Sequence, residues 1–172
     1  MSNDRATPEG TPDDVDRIVS AWRRERPDLD VAPLEILSRV SRLARRLDLA
    51  RGAAFAQRGL ETWEFDVLSA LRRTGRPYEL SPGQLVLETL VTSGTMTNRV
   101  DRLTQRGLVE RNPSLTDRRG VVVRLTPAGL VTVDAALADL LARERELLAQ
   151  LATDEQLALA GHLRRLLHPF EG

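Results

Sequence analysis

A mainly α fold, with a winged helix-turn-helix set between long N- and C-terminal dimerisation helices, is what this sequence predicts, on three observations. Apolar residues recur at helical spacing over most of the chain. Two short helical patterns meet at Val91-Thr92-Ser93-Gly94, which reads as the turn of a helix-turn-helix. The second pattern stops at Gly107, and two β-prone runs, 108–112 and 120–125, follow around a loop holding Pro113, Asp117, Arg118 and Arg119.

The chain has 172 residues, 41% hydrophobic and 29% charged, enough for one good core with appendages. No apolar run of about 18 residues occurs, and the N-terminus lacks a basic-then-apolar signal, so the expectation is a cytoplasmic chain with no membrane partner. Without cysteine it has no disulfide framework, thiolate metal site or thiol redox sensor of its own. Net charge is zero, yet ten arginines face only five acids between Arg72 and Arg124, so the middle is basic and the ends acidic.

Residues 1–10 read as a flexible tail, and 11–59 as two N-terminal helices. Thr11-Pro12 offers an N-cap and an N1 proline, Val15, Ile18, Val19 and Trp22 form one apolar stripe, and Pro27 closes the helix. Ala32-Pro33 restarts a longer helix with Leu34, Leu37, Val40, Leu43, Ala44, Leu47 and Phe55 inward, softened at Gly52 and stopped at Gly59. Residues 60–126 make the winged region. Thr62 caps a helix with Phe65, Leu68 and Leu71 inside, and Thr74-Gly75-Arg76-Pro77 turns the chain. Ser81-Pro82-Gly83-Gln84 combines a capping box with an N1 proline, and Leu85 and Leu90 are the expected core contacts of the short helix that follows. In the next helix Met96, Val100 and Leu103 share one face. Residues 127–172 hold a long helix starting at Thr126-Pro127 and a last one capped at Thr153, both leucine-rich enough to suggest a homodimer interface.

The outer face of the second short helix carries Ser93, Thr95, Thr97 and Asn98, short donors and acceptors suited to base edges, and then Arg102 and Arg106, suited to phosphates. In the wing, Arg119 fits a narrow minor groove and Arg118 a phosphate. Asp117 orients a wing arginine or bonds the turn's own amides as an Asx turn does. Helix, turn, helix and arginine hairpin together point to double-stranded DNA. The other readings are a protein-interaction module in which the leucine-rich helices dimerise, and a non-specific architectural DNA-binding protein; salt-dependent duplex binding separates these classes. No catalytic motif or phosphate-binding glycine loop is present, His162 and His168 do not share a helical face, and no enzyme, cofactor or metal is expected.

Asp117-Arg118-Arg119 through Leu125-Thr126 fits the D-x-R-x5-L-T signature of the MarR family, and the chain resembles that family over nearly its whole length. Supporting segments are EFDVLSALRR at 64–73, LSPGQL at 80–85, SGTMTNRVDRLTQRGLVER at 93–111 and the Thr126-Pro127-Ala128-Gly129 start. The resemblance implies a dimeric winged-helix repressor of a pseudo-palindromic operator. The helix before Pro27 is similar to one found in the urate-responsive subgroup, whose ligand-linked residues match Trp22 in RIVSAW, Asp66 in EFDVL, Arg99 in TNRV and Arg111 in LVER. That likeness implies a small anionic effector, urate or another purine-like or organic acid, which releases the DNA. Each residue also has a plain structural reading: Trp22 in the core, Asp66 at a helix start, Arg99 on phosphate and Arg111 as a surface cation.

Overall fold

The computed structural model describes residues 12–114 and 120–170. They fall into two units, one of Ala50–Arg143 and one of Met1–Leu49 with Glu144–Gly172.

The second of these begins with α1 (Asp14–Glu25), and its start differs from the Thr11 cap read in the sequence. The Asp13 carboxylate accepts from the amides of Val15 at 2.7 Å and Asp16 at 3.0 Å, while the Asp16 carboxylate accepts from the Asp13 amide at 2.8 Å. Two mutual bonds satisfy donors that a single threonine would leave open, so the helix starts after Asp13 and Pro12 stays outside it. Val15 and Val19 pack with Val31 and Leu34, the last two from the entry to α2 (Ala32–Ala56). Arg39 on α2 donates to Asp13 and Asp16, tying the two helices together.

That tie has a pH signature. Arg39, with the amides of the cap, lowers Asp13 to about 2, below its ordinary 3.8. A depressed carboxylate contributes stability that is complete above 3.8 and lost as pH falls toward about 2. Acid titration followed by thermal melting is therefore expected to show a shallower loss between these values in Arg39→Ala than in wild type. Parallel acid limbs would sink this account.

Leu37, Val40, Leu43 and Ala44 of α2, expected inward, are exposed, and among the described residues of α7 (Thr153–Leu167) none is buried. Helical period identifies the apolar face of a helix but not the chain that covers it. The α7 start is also one residue earlier than read: Glu155 accepts from the Ala152 amide at 2.7 Å, making Ala152 the cap and Thr153 the first helical residue.

In the other unit, the end of α2 brings Phe55 into a stack with Phe65 of α3 (Thr62–Arg73), ring centres 4.1 Å apart. Phe65, Leu68 and Leu71 are buried as expected, with Leu85 of α4 (Pro82–Thr89) and Met96, Val100 and Leu103 of α5 (Ser93–Gln105). Thr62 is not the cap of α3; the helix starts after Glu61, whose amide donates to the Glu64 carboxylate at 2.9 Å. The Ser81 capping box is present, with Gln84 N–H to Ser81 Oγ at 3.2 Å and the return bond at 2.9 Å.

Leu90 is the clearest departure in the core. It is 92% exposed and closes α4 in the left-handed region at φ 53°, so the reversal that carries the chain toward α5 turns it outward. The turn itself is shorter than read, because the Thr92 hydroxyl accepts from the Thr95 amide at 3.3 Å and places Ser93 and Gly94 inside α5. Gly107, at φ 68°, ends that helix as expected.

The hairpin strands β2 (Val109–Pro113) and β3 (Val121–Leu125) pair antiparallel from Val109 opposite Leu125 to Pro113 opposite Val121. Pro113, read as loop, is the last strand residue, where a missing ladder donor costs little. A two-residue strand, β1 (Glu79–Leu80), adds to β3 and gives the order β1-β3-β2. Two residues carry no alternation, so this strand was invisible to periodicity; Arg124 on Glu79 at 2.6 Å pins its register. α6 (Pro127–Leu148) follows, and Val133, Ala136 and Leu140 join the same core.

Candidate nucleic-acid interface

α5 divides its faces as the spacing of its residues requires. Met96, Val100 and Leu103 are buried, which leaves Ser93, Thr95, Thr97, Asn98 and Arg102 exposed on the outer side. The N-terminal polar groups are partly committed to the helix: Thr95 Oγ1 lies 2.9 Å from Thr92 Oγ1, and Thr97 Oγ1 donates to the Ser93 carbonyl at 3.1 Å. The Asn98 side chain has no hydrogen-bond partner among the described residues, so its amide oxygen and nitrogen are both open to a base edge.

Two of the arginines are anchored, in different ways. Arg102 donates to Glu61, and its guanidinium lies 4.8 Å from the centre of the Trp63 ring. Arg106, expected on phosphate, donates to the Glu64 carboxylate and to the Gly59 carbonyl at 2.8 Å. Glu64 is only 1% exposed, so the pair ties the C-terminal end of α5 to the start of α3. A carboxylate buried this deeply needs a cation beside it, which fixes one edge of the Arg106 guanidinium within the folded chain. Asp117, Arg118 and Arg119 lie outside the described residues.

Trp63 and Glu61 went unremarked in the sequence, and the structure brings both to this face. The Trp63 indole N–H donates to Glu61 at 2.7 Å, and Arg99 sits 5.4 Å from the same ring. The indole bond, then Arg102, hold the Glu61 carboxyl below its ordinary value. Trp63, Gly94, Thr95, Asn98, Arg99 and Arg102 line an open cleft of about 470 Å³. A glutamate two residues before a tryptophan at a helix start was the only local signal, and it names no partner.

Of the four residues matched to an effector, Asp66 and Arg99 are electrostatic neighbours. Burial pushes the Asp66 carboxyl above its ordinary value, against the opposing pull of Arg51, Arg99 and Arg73, so Asp66 and Arg99 share one electrostatic neighbourhood. Arg111 is 2.7 Å from Asp101 of α5 in an ion pair that fastens β2 to the helix. Trp22, 48% exposed on α1, belongs to the other unit. Among the described residues no group of three or more histidine, cysteine or acidic side chains could hold a metal, and no helix is long and apolar enough to cross a membrane.

Comparison with known proteins agrees with this architecture. Residues 58–120 match the profile of the MarR family. The chain is 38% identical over 154 residues to the HTH-type transcriptional regulator PecS of Dickeya dadantii, covering 90% of each chain. It is 34% identical over 113 residues to the HTH-type transcriptional repressor NicR of Pseudomonas putida, covering 63% of this chain and 70% of that one. A crystal structure of a MarR variant from E. coli complexed with operator DNA superposes with a TM-score of 0.64 at 26% identity, over 85% of this chain and 97% of the other. With helix, turn, reading helix and hairpin in place, the chain belongs to the MarR family of winged-helix DNA-binding transcriptional regulators.

Proposed function

We propose that this regulator is a homodimeric repressor that reads a pseudo-palindromic operator and is released by a small, planar anion. The observation that carries the reading is the exposed face of α5, on which Asn98 is open and Arg102 is held beside it on the same cleft. A helix of this kind enters the major groove, with Ser93, Thr95, Thr97 and Asn98 toward base edges and Arg102 toward the backbone. Arg119 in the minor groove and Arg118 on phosphate complete the contact from the wing, with Asp117 orienting them.

Dimerisation is supported by the apolar surface that single-chain folding leaves open in the terminal unit: Leu37, Val40 and Leu43 on α2, and Leu159, Leu163 and Leu166 on α7. Surface of this extent calls for a partner, and a second copy supplies the two reading heads that a palindrome requires. Half-sites one helical turn apart, about 34 to 36 Å, then couple head separation to affinity.

The effector reading rests on Asp66 and Arg99. An anion bonded to Arg99 meets repulsion from Asp66 whenever that carboxyl is ionised, and the displacement of Arg99 is transmitted directly to the helix that carries it. Trp22 and Arg111 are the further contacts implied by likeness to the urate-responsive subgroup.

Footprinting on the DNA flanking its own gene, with and without urate, other purines and aromatic carboxylates, tests both parts. The expected result is a protected two-fold site that one of these anions releases. Arg99→Ala should raise the half-releasing concentration about tenfold after correction for its own operator affinity, the loss of one charge-assisted contact. No protected site removes the repressor reading; a protected site that no anion releases removes the effector alone.

A further inference from the structure

Arg102 is held from two sides before any DNA arrives. One Nη2 corner donates to Glu61, whose other carboxylate oxygen accepts from the Trp63 indole, and the guanidinium lies over that same indole at 4.8 Å. Its Nε and Nη1 have no partner among the described residues. Glu61 precedes α3 and Trp63 lies in its first turn, so the α3 start, itself fastened by the Glu64 and Arg106 pair, is the rigid base for the arrangement.

We propose that Glu61 and Trp63 are positioning residues for operator specificity: they fix the direction of the Arg102 guanidinium so that its free edge meets one place on the duplex. The inference rests on the reading of Arg102 as a DNA contact and moves that contact from the backbone to a base edge, because a phosphate contact carries no sequence information of its own. A guanidinium is planar and reads oxygen and nitrogen acceptors through a fixed fork, so its direction matters as much as its charge. A free arginine on an exposed helix loses rotamer freedom when it docks; one already held by an acid and an aromatic ring has lost it in folding. Glu61 is an acid beside a DNA-facing helix, and its charge alone disfavours every duplex equally. It is tolerable there because positioning favours one duplex over the others.

These two effects of Glu61 have opposite signs, which makes the inference testable. The probes are a duplex recovered from random-sequence DNA by repeated selection on the wild-type protein, and a scrambled duplex of the same length. Affinity for both is measured at fixed salt for wild type, Glu61→Gln, Arg102→Ala and the double variant, with thermal melting to establish that each is folded. Removing the acid in Glu61→Gln should tighten scrambled DNA about twofold and weaken the selected duplex about tenfold, so the specificity ratio collapses. In the Arg102→Ala background the same change should leave the ratio where it was. Equal tightening on both duplexes, or an undiminished effect of Glu61→Gln without Arg102, overturns the positioning role. Selected-duplex binding unaltered by Arg102→Ala overturns the underlying DNA contact, and with it the inference.

Discussion

Gly129→Ala is expected to lower the free energy of unfolding by about 3 kcal/mol, at the upper end of the cost of overpacking. A Cβ at Gly129 would sit 2.0 Å from the Leu108 carbonyl oxygen, 3.0 Å from its carbon and 3.2 Å from Leu125 Cδ2. The leucine side chain can give way; the carbonyl cannot, because it accepts from the Thr126 amide at 3.1 Å. Thr126 Oγ1 also donates to Gly107 at 2.7 Å and accepts from the Gly129 amide at 3.0 Å. The end of α5, the end of β3 and the start of α6 therefore converge on one point, and moving α6 away breaks these bonds. Urea denaturation is the measurement, with Gly161→Ala as control, since a Cβ there meets nothing within 4 Å and should raise stability by about 0.5 to 1 kcal/mol. A Gly129→Ala midpoint equal to wild type would mean that the helix start is free to shift.

Arg106→Met is expected to cost about 3 kcal/mol, because it leaves a buried carboxylate without its cation. Glu64 Oε2 accepts from Arg106 and from the Glu61 amide, while Glu64 Oε1 is buried with no partner among the described residues, so the site has no spare donor to take over. The double variant Glu64→Gln with Arg106→Met should recover much of the loss, since the neutral amide can still accept from Glu61. If Arg106 served only the DNA backbone, the single variant would melt like wild type and lose affinity for every duplex alike. Denaturation and duplex titration on the same samples separate the two roles.

The helices of the DNA-reading unit were legible because each carries its own punctuation. Ser81-Pro82 with Gln84, and Gly107 after a polar-faced helix, act through bonds to residues a few positions away, so sequence neighbours suffice to predict them. The misread starts failed locally too: Asp13 and Glu61 took the cap positions from Thr11 and Thr62 because an acid three residues on completed the bond pattern. β1 and the exposure of Leu90 depended on how the chain passes the next element, which no local pattern encodes.

What the sequence by itself determined is the helical plan, the wing position, and the buried and polar faces of α5, since period and capping are properties of near neighbours. Only the tertiary structure decided what the arginines do. Arg102, Arg106 and Arg111 look alike along the chain; they diverge because α3 brings Glu61 and Trp63 to the first and buried Glu64 to the second, while Asp101 holds the third against α5. Arg106 goes to a carboxylate that has lost its water, while Arg102 and Arg111 meet solvent-exposed acids that the fold sets beside them, and the acids of Arg102 and Arg106 lie 41 and 42 positions away in the chain.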